Sequence, residues 1–188
     1  RGFRYAAVIP QDGVQITFVK AIVRHYPFDD SYCELEAASP VLKQVWDICK
    51  NGVKYGSQEV FVDCPTREKG QYAGDVTVTG ASHLILTGDT SLLKKAIDNQ
   101  MQSAKIRQGL LAVAPGSFLQ EIADYSLQFP LSALRYYNAV GDRAYLSENL
   151  KVCEGIISHF KKYSRGDGLL CRVMDEWNLV DWPENMRD

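Results

Sequence analysis

Leu86-Thr87-Gly88-Asp89, leading into Leu92-Leu93, is echoed 53 residues later by Ala139-Val140-Gly141-Asp142, leading into Tyr145-Leu146. In each copy a helix ends at a glycine, an aspartate caps the next helix, and an apolar pair follows one turn on. That is the pattern of a helical hairpin. An amphipathic hairpin cannot bury its own apolar face, so units repeated at this distance stack side by side, into an open solenoid or a closed ring. The pattern leaves both open.

Outward from these turns the apolar period stays helical. Ser39 followed by Pro40 is an N-cap and first-turn signature, and Leu42, Val45, Cys49 and Val53 recur at helical spacing. Further helices are expected over 76–86, 91–106, 122–139 and 144–163. In the last of these Leu146, Leu150, Cys153, Ile157 and Phe160 form an apolar stripe, with Glu148, Lys151, Glu154 and Lys161 turned elsewhere. Pro130 lacks a backbone donor, which predicts a kink or an offset start in the helix around it. Residues 1–27 are short-period and rich in β-formers, with a turn at Pro10, Asp12 and Gly13, and read as two or three strands whose partners lie upstream. Arg165-Gly166-Asp167-Gly168 reads as a turn before a short strand over 169–173.

Composition narrows the function classes. The 188 residues suit one domain or a little more, and 46% apolar content supports a sizeable core. Twenty-one Lys and Arg against twenty-three Asp and Glu leave a net charge of -2, with no basic excess for nucleic acid or an anionic membrane. The chain opens inside a strand without an initiator Met, as expected of an excerpt from something longer. Five cysteines with no CxxC pair argue against a disulfide framework and a zinc knuckle, and fit a cytoplasmic rather than a secreted address. His25, His83 and His159 are scattered with no ligand spacing, so no metal site and no cofactor is expected. P-loop, dinucleotide and serine-esterase motifs do not occur in the chain.

Between the first two helices lies the chemically dense segment, Val60-Phe61-Val62-Asp63-Cys64-Pro65-Thr66-Arg67-Glu68-Lys69-Gly70-Gln71-Tyr72-Ala73-Gly74-Asp75. Folded by Pro65, Gly70 and Gly74, it can aim Asp63, Glu68 and Asp75 into one pocket. Clustered carboxylates disfavour one another's ionisation, and an acid kept protonated near neutral pH is what glycosidic cleavage needs on the leaving-group side. Glu68 is the natural candidate, with Arg67 fixing a hydroxyl or a neighbouring carboxylate. The same residues also read as a structural brace, in which Asp75 caps the second helix while Arg67 and Lys69 pair with Glu68 and Asp63.

The run Asp63-Cys64-Pro65-Thr66-Arg67-Glu68-Lys69, continuing to Tyr72-Ala73-Gly74-Asp75, resembles the signature of the α-L-rhamnosidases of glycoside hydrolase family 78. Phe3-Arg4-Tyr5, Asp124 with Pro130, Gly141-Asp142 and Asp181-Trp182-Pro183 are also similar to family positions. The resemblance implies a mainly α fold, the N-terminal part of an (α/α)6 barrel over residues 31–188, preceded over 1–30 by the last strands of a β-sandwich. It implies an inverting hydrolase acting on rhamnose-containing glycosides or polysaccharides. Glu68 would be the general acid, Asp63, Arg67 and Asp75 would surround the sugar, and Trp182 would form an aromatic wall. The second carboxylate comes from a later hairpin, so this stretch alone is expected to be inactive. Gln71 stands where the family has glycine, and Tyr72 and Ala73 where it often has Trp and Thr.

Two rival readings stay in view: a six-hairpin glycosidase for another sugar, and a non-catalytic helical repeat binding a partner through its concave face. Cys64 reads as packing beneath the loop. Trp46 and Trp177 read as core or groove wall more readily than as a sugar platform, and Asp175 and Glu176 as a weaker additional sugar contact.

Overall fold

Ser39 ends the irregular lead-in. Its Oγ accepts the Leu42 amide at 3.4 Å, Pro40 takes the first helical position, and α1 runs Pro40–Gly56. The structure, a computed structural model, describes residues 2–3, 5–173 and 177. After α1 come α2 (Ala73–Thr87), α3 (Ser91–Ser103), β1 (Ala112–Ala114), β2 (Phe118–Glu121), α4 (Ala123–Val140) and α5 (Arg143–Lys161). All five expected helices form. None of the described helices is long and apolar enough to cross a membrane.

The two repeated turns close as their chemistry dictates. Gly88 and Gly141 take left-handed φ values of 67° and 74°, and their amides donate to Leu84 O and Tyr137 O. Asp142 caps α5 by accepting the Tyr145 amide at 3.0 Å. Asp89 stands one place further out: it accepts the Ser91 amide at 2.7 Å, and Thr90 is the residue before the helix.

Helix α4 is central, packing against α2, α3 and α5. Phe61, Val76, Leu92, Leu93, Ile97, Phe129, Ile156 and Phe160 form the main core. Several expectations change in the structure. On α5 the buried face is Tyr145, Asn149, Cys153, Ile156 and Phe160, while Leu150 and Ile157 are 49% and 59% exposed. The helix is rotated toward the contacts of Tyr145: its Oη donates to Asp98 at 2.6 Å and its ring lies edge-on to Tyr136, while Asn149, one turn on, donates within the helix to Tyr145 O at 2.7 Å. Helix α4 starts at Ala123 and continues through Pro130 without the offset start. Burial of Phe129, Ala133 and Tyr136 outweighs the one lost bond.

Helix α1 buries only its C-terminal Gly56 and leaves Leu42 and Val45 exposed. Residues 5–27 form no strand, and Tyr5, Ile9 and Phe18 are largely exposed, since strands without a partner have no ladder to join. The expected strand over 169–173 reduces to an isolated pairing of Ser164 with Leu170, although the preceding turn forms, with Asp167 accepting the Leu169 amide at 3.1 Å.

The β1–β2 hairpin between α3 and α4 was not expected from the sequence. Ala112 pairs with Glu121 and Ala114 with Phe118. Its signal is present in the buried run Leu110 to Ala114 followed by Pro115-Gly116, an apolar strand ending in a turn pair.

Candidate active site

Phe61 and Val62 are buried and anchor the start of the acidic loop, with the Val62 amide donating to Gly56 O at 2.9 Å. The loop is then closed reciprocally between Asp63 and Gly70. The Asp63 amide donates to Gly70 O at 3.0 Å, and the Gly70 amide donates to Asp63 Oδ1 at 2.9 Å. Cys64 lies inside this closure, where its Sγ accepts the Glu68 amide at 3.3 Å. The half-buried sulfur, expected as packing beneath the loop, thus serves as a hydrogen-bond acceptor within it.

Tyr72 ends the loop and Asp75 sits in the first turn of α2. Tyr125 in the first turn of α4 covers Gly74, where an added Cβ would lie 2.5 Å from the Tyr125 ring. Only glycine allows this close approach, which brings the starts of α2 and α4 side by side. Around them Tyr72, Tyr125 and Trp177 pack against the buried Val113, Ala114 and Ile122. Trp177 is held by its backbone, pairing with Ile122 and accepting the Ala123 amide at 3.2 Å.

The electrostatics join the loop to the helix. Burial pushes the Asp75 carboxyl up, and the charges of Asp63 and Glu68 add to it against the effect of a backbone amide. Tyr72 is pushed up to about 12, first by hydrogen bonding to the Glu68 carboxylate, then by burial and by the charges of Glu68 and Asp63, with Arg67 opposing. Asp124, in the first turn of α4, is also raised by burial. Arg67 is largely exposed and ion-paired with Glu68.

Asp63, Glu68 and Asp75 therefore share one local field with Tyr72, and Arg67 joins them through Glu68. One element of the brace reading is present, the Arg67–Glu68 pair. Its other elements differ: Asp63 is bound to Gly70, and no side chain caps α2. Trp182, Asp181, Pro183, Asp175 and Glu176 lie outside the described residues. Among the described residues no group of His, Cys, Asp and Glu is arranged to hold a metal ion. His83 is enclosed by Tyr26, Phe28 and Phe61, and burial lowers its pKa.

The reading of the sequence missed the aromatic side of the site. Tyr72 entered only as a departure from a motif, Tyr125 not at all, and Trp177 chiefly as a wall. Glycines at 70 and 74 next to a tyrosine were the available signal, since an added Cβ at Gly70 would lie 2.6 Å from the Tyr72 ring. Carboxylates able to hold a proton or accept sugar hydroxyls, beside aromatic faces, form a constellation suited to carbohydrate chemistry.

Known proteins resemble the chain in fold and family. A solved structure, the GH78 family rhamnosidase of Bacillus sp. GL1, superposes over 87% of the chain with a TM-score of 0.77 at 20% sequence identity. That likeness shows the mainly helical six-hairpin fold. The chain spans only 17% of that enzyme's length. No curated protein matches it. Residues 30–188 match the family model of the bacterial alpha-L-rhamnosidase six-hairpin glycosidase domain, and the chain belongs to that glycoside hydrolase family.

Proposed function

We propose that the chain supplies part of the catalytic domain of an inverting glycosidase that removes terminal α-L-rhamnose from glycosides or polysaccharides. Glu68 protonates the departing oxygen. Asp63, Arg67 and Asp75 hold the sugar hydroxyls, and Trp182 adds an aromatic wall. The observation that supports this reading is the loop closed between Asp63 and Gly70, which carries Glu68 and leads through Tyr72 into the first turn of α2, where the charges of Asp63 and Glu68 act on Asp75.

Inversion needs a second carboxylate roughly 6.5–9.5 Å from the acid, with a water between. That base belongs to a later hairpin, so residues 1–188 alone do not turn over substrate. In the full-length protein Glu68→Gln lowers turnover of an aryl α-L-rhamnoside by about 10²–10⁴-fold, the contribution of a general acid. Wild-type turnover in that variant would remove Glu68 from the role.

One observation favours a second assignment. Asp75 is the carboxyl that burial and two neighbouring charges push toward its protonated form, which makes it the rival proton donor. The two assignments part in their response to leaving-group acidity.

A further inference from the structure

The acidic loop has a second face. Glu68 hydrogen-bonds with Tyr72 and its charge acts on Asp75, whereas Lys69 and Gln71 line an open cleft of about 540 Å³, walled by Lys95, Asn99 and Gln102 of α3 and by Ser117 of the β1–β2 turn, with none of the three acids in its lining. We infer that this cleft is a ligand site separate from the acidic cluster, and that it takes a sugar bearing a carboxylate, a uronate.

Three features support a built site. Gln71 is 2% exposed; its Oε1 accepts from Asn99 Nδ2 at 2.9 Å, but its Nε2 has no partner among the described residues. A buried unpaired amide donor is a cost that a bound acceptor removes. Lys69 is held at φ 54°, a left-handed conformation rare for a lysine and of the kind found at ligand clamps. Lys95 gives one proton to Glu59 O at 2.8 Å and keeps two more for a ligand.

The charge pattern chooses the ligand. Two lysines and no carboxylate line the cleft, in a chain of net charge -2, so the site selects an anion. Three side-chain amides and a serine hydroxyl suit ring hydroxyls, which a simple inorganic anion would leave unused. The volume lies within the range of small-molecule sites. This site is independent of whether Glu68 is the acid.

The test is calorimetric titration of the full-length protein with D-glucuronate, using D-glucose, acetate and inorganic phosphate as comparison probes. Saturable glucuronate binding at least about tenfold tighter than that of the other three is expected. Gln71→Ala and Lys95→Met, each confirmed as folded by circular dichroism, weaken it by about fivefold or more, while Glu68→Gln leaves it unchanged. Phosphate or acetate binding as tightly as glucuronate would reduce the cleft to a cationic patch and overturn the inference. So would absence of saturable binding, indifference to both cleft variants, or loss in Glu68→Gln, which would move the uronate to the acidic cluster. Loss of rhamnoside turnover in Glu68→Gln is read separately, so failure of one reading leaves the other testable.

Discussion

Asp75 carries opposing demands of stability and chemistry. Its folded pKa is raised above the ordinary 3.8 by burial and by Asp63 and Glu68, so the native state holds a proton that the unfolded chain has released. The contribution of Asp75 to stability is therefore full below about pH 3.8 and is lost as pH rises through the raised value. Asp75→Asn is expected to raise the urea midpoint at pH 7, to show no gain at pH 3.5, and to abolish sugar binding; equal midpoints at pH 7 would contradict the burial cost. His83 has the opposite sign. Burial lowers its folded pKa below 6.5, so its contribution is complete above that pH and is lost as pH falls through the lowered value. Midpoints measured between pH 8 and pH 5 should drop less in His83→Gln than in wild type. Single residues were legible in the sequence where their chemistry is local, as with the acids of one loop. The partners of His83 come from other segments, Tyr26, Phe28 and Phe61, and a sequence does not display such an enclosure.

Among the elements, the helix ends were read well and the helix faces less so. Gly88, Gly141 and Asp142 act within a few residues of their own position, and the structure places them at the expected caps. Asp142→Ala removes the acceptor of the Tyr145 amide and should cost about 1 kcal/mol in the first turn of α5. Hydrogen exchange at Tyr145 should then quicken by roughly fivefold, and an unchanged rate would mean that the tertiary contacts of Tyr145 alone hold the turn. The buried face of α5 depends on Asp98, forty-seven residues before Tyr145, and periodicity alone could not weigh that bond. An apolar count favoured Leu150 and Ile157, whereas the bond from Tyr145 to Asp98 turned the Tyr145 face inward and carried Asn149, one turn on, with it.

At the scale of the molecule, α4 ties the hairpins together and sets the starts of α2 and α4 side by side. Phe129, 2% exposed on α4, should cost about 3–5 kcal/mol when replaced by alanine, read as a fall in the urea midpoint. A loss below about 1 kcal/mol would mean that the core closes over the cavity. The acidic half of the site was visible as one contiguous loop. The aromatic half was not, because Tyr72, Tyr125 and Trp177 meet only after α2, α4 and the chain beyond α5 have packed. The most direct test of proton donation from this loop is turnover of a series of aryl α-L-rhamnosides whose phenols differ in acidity, with wild type, Glu68→Gln and Asp75→Asn compared in the full-length protein. Glu68→Gln should lose about 10²–10⁴-fold on poor leaving groups and recover toward wild type on 2,4-dinitrophenyl rhamnoside, which departs without a proton. An equal loss across the whole series, or the selective loss appearing in Asp75→Asn instead, would contradict the assignment of Glu68.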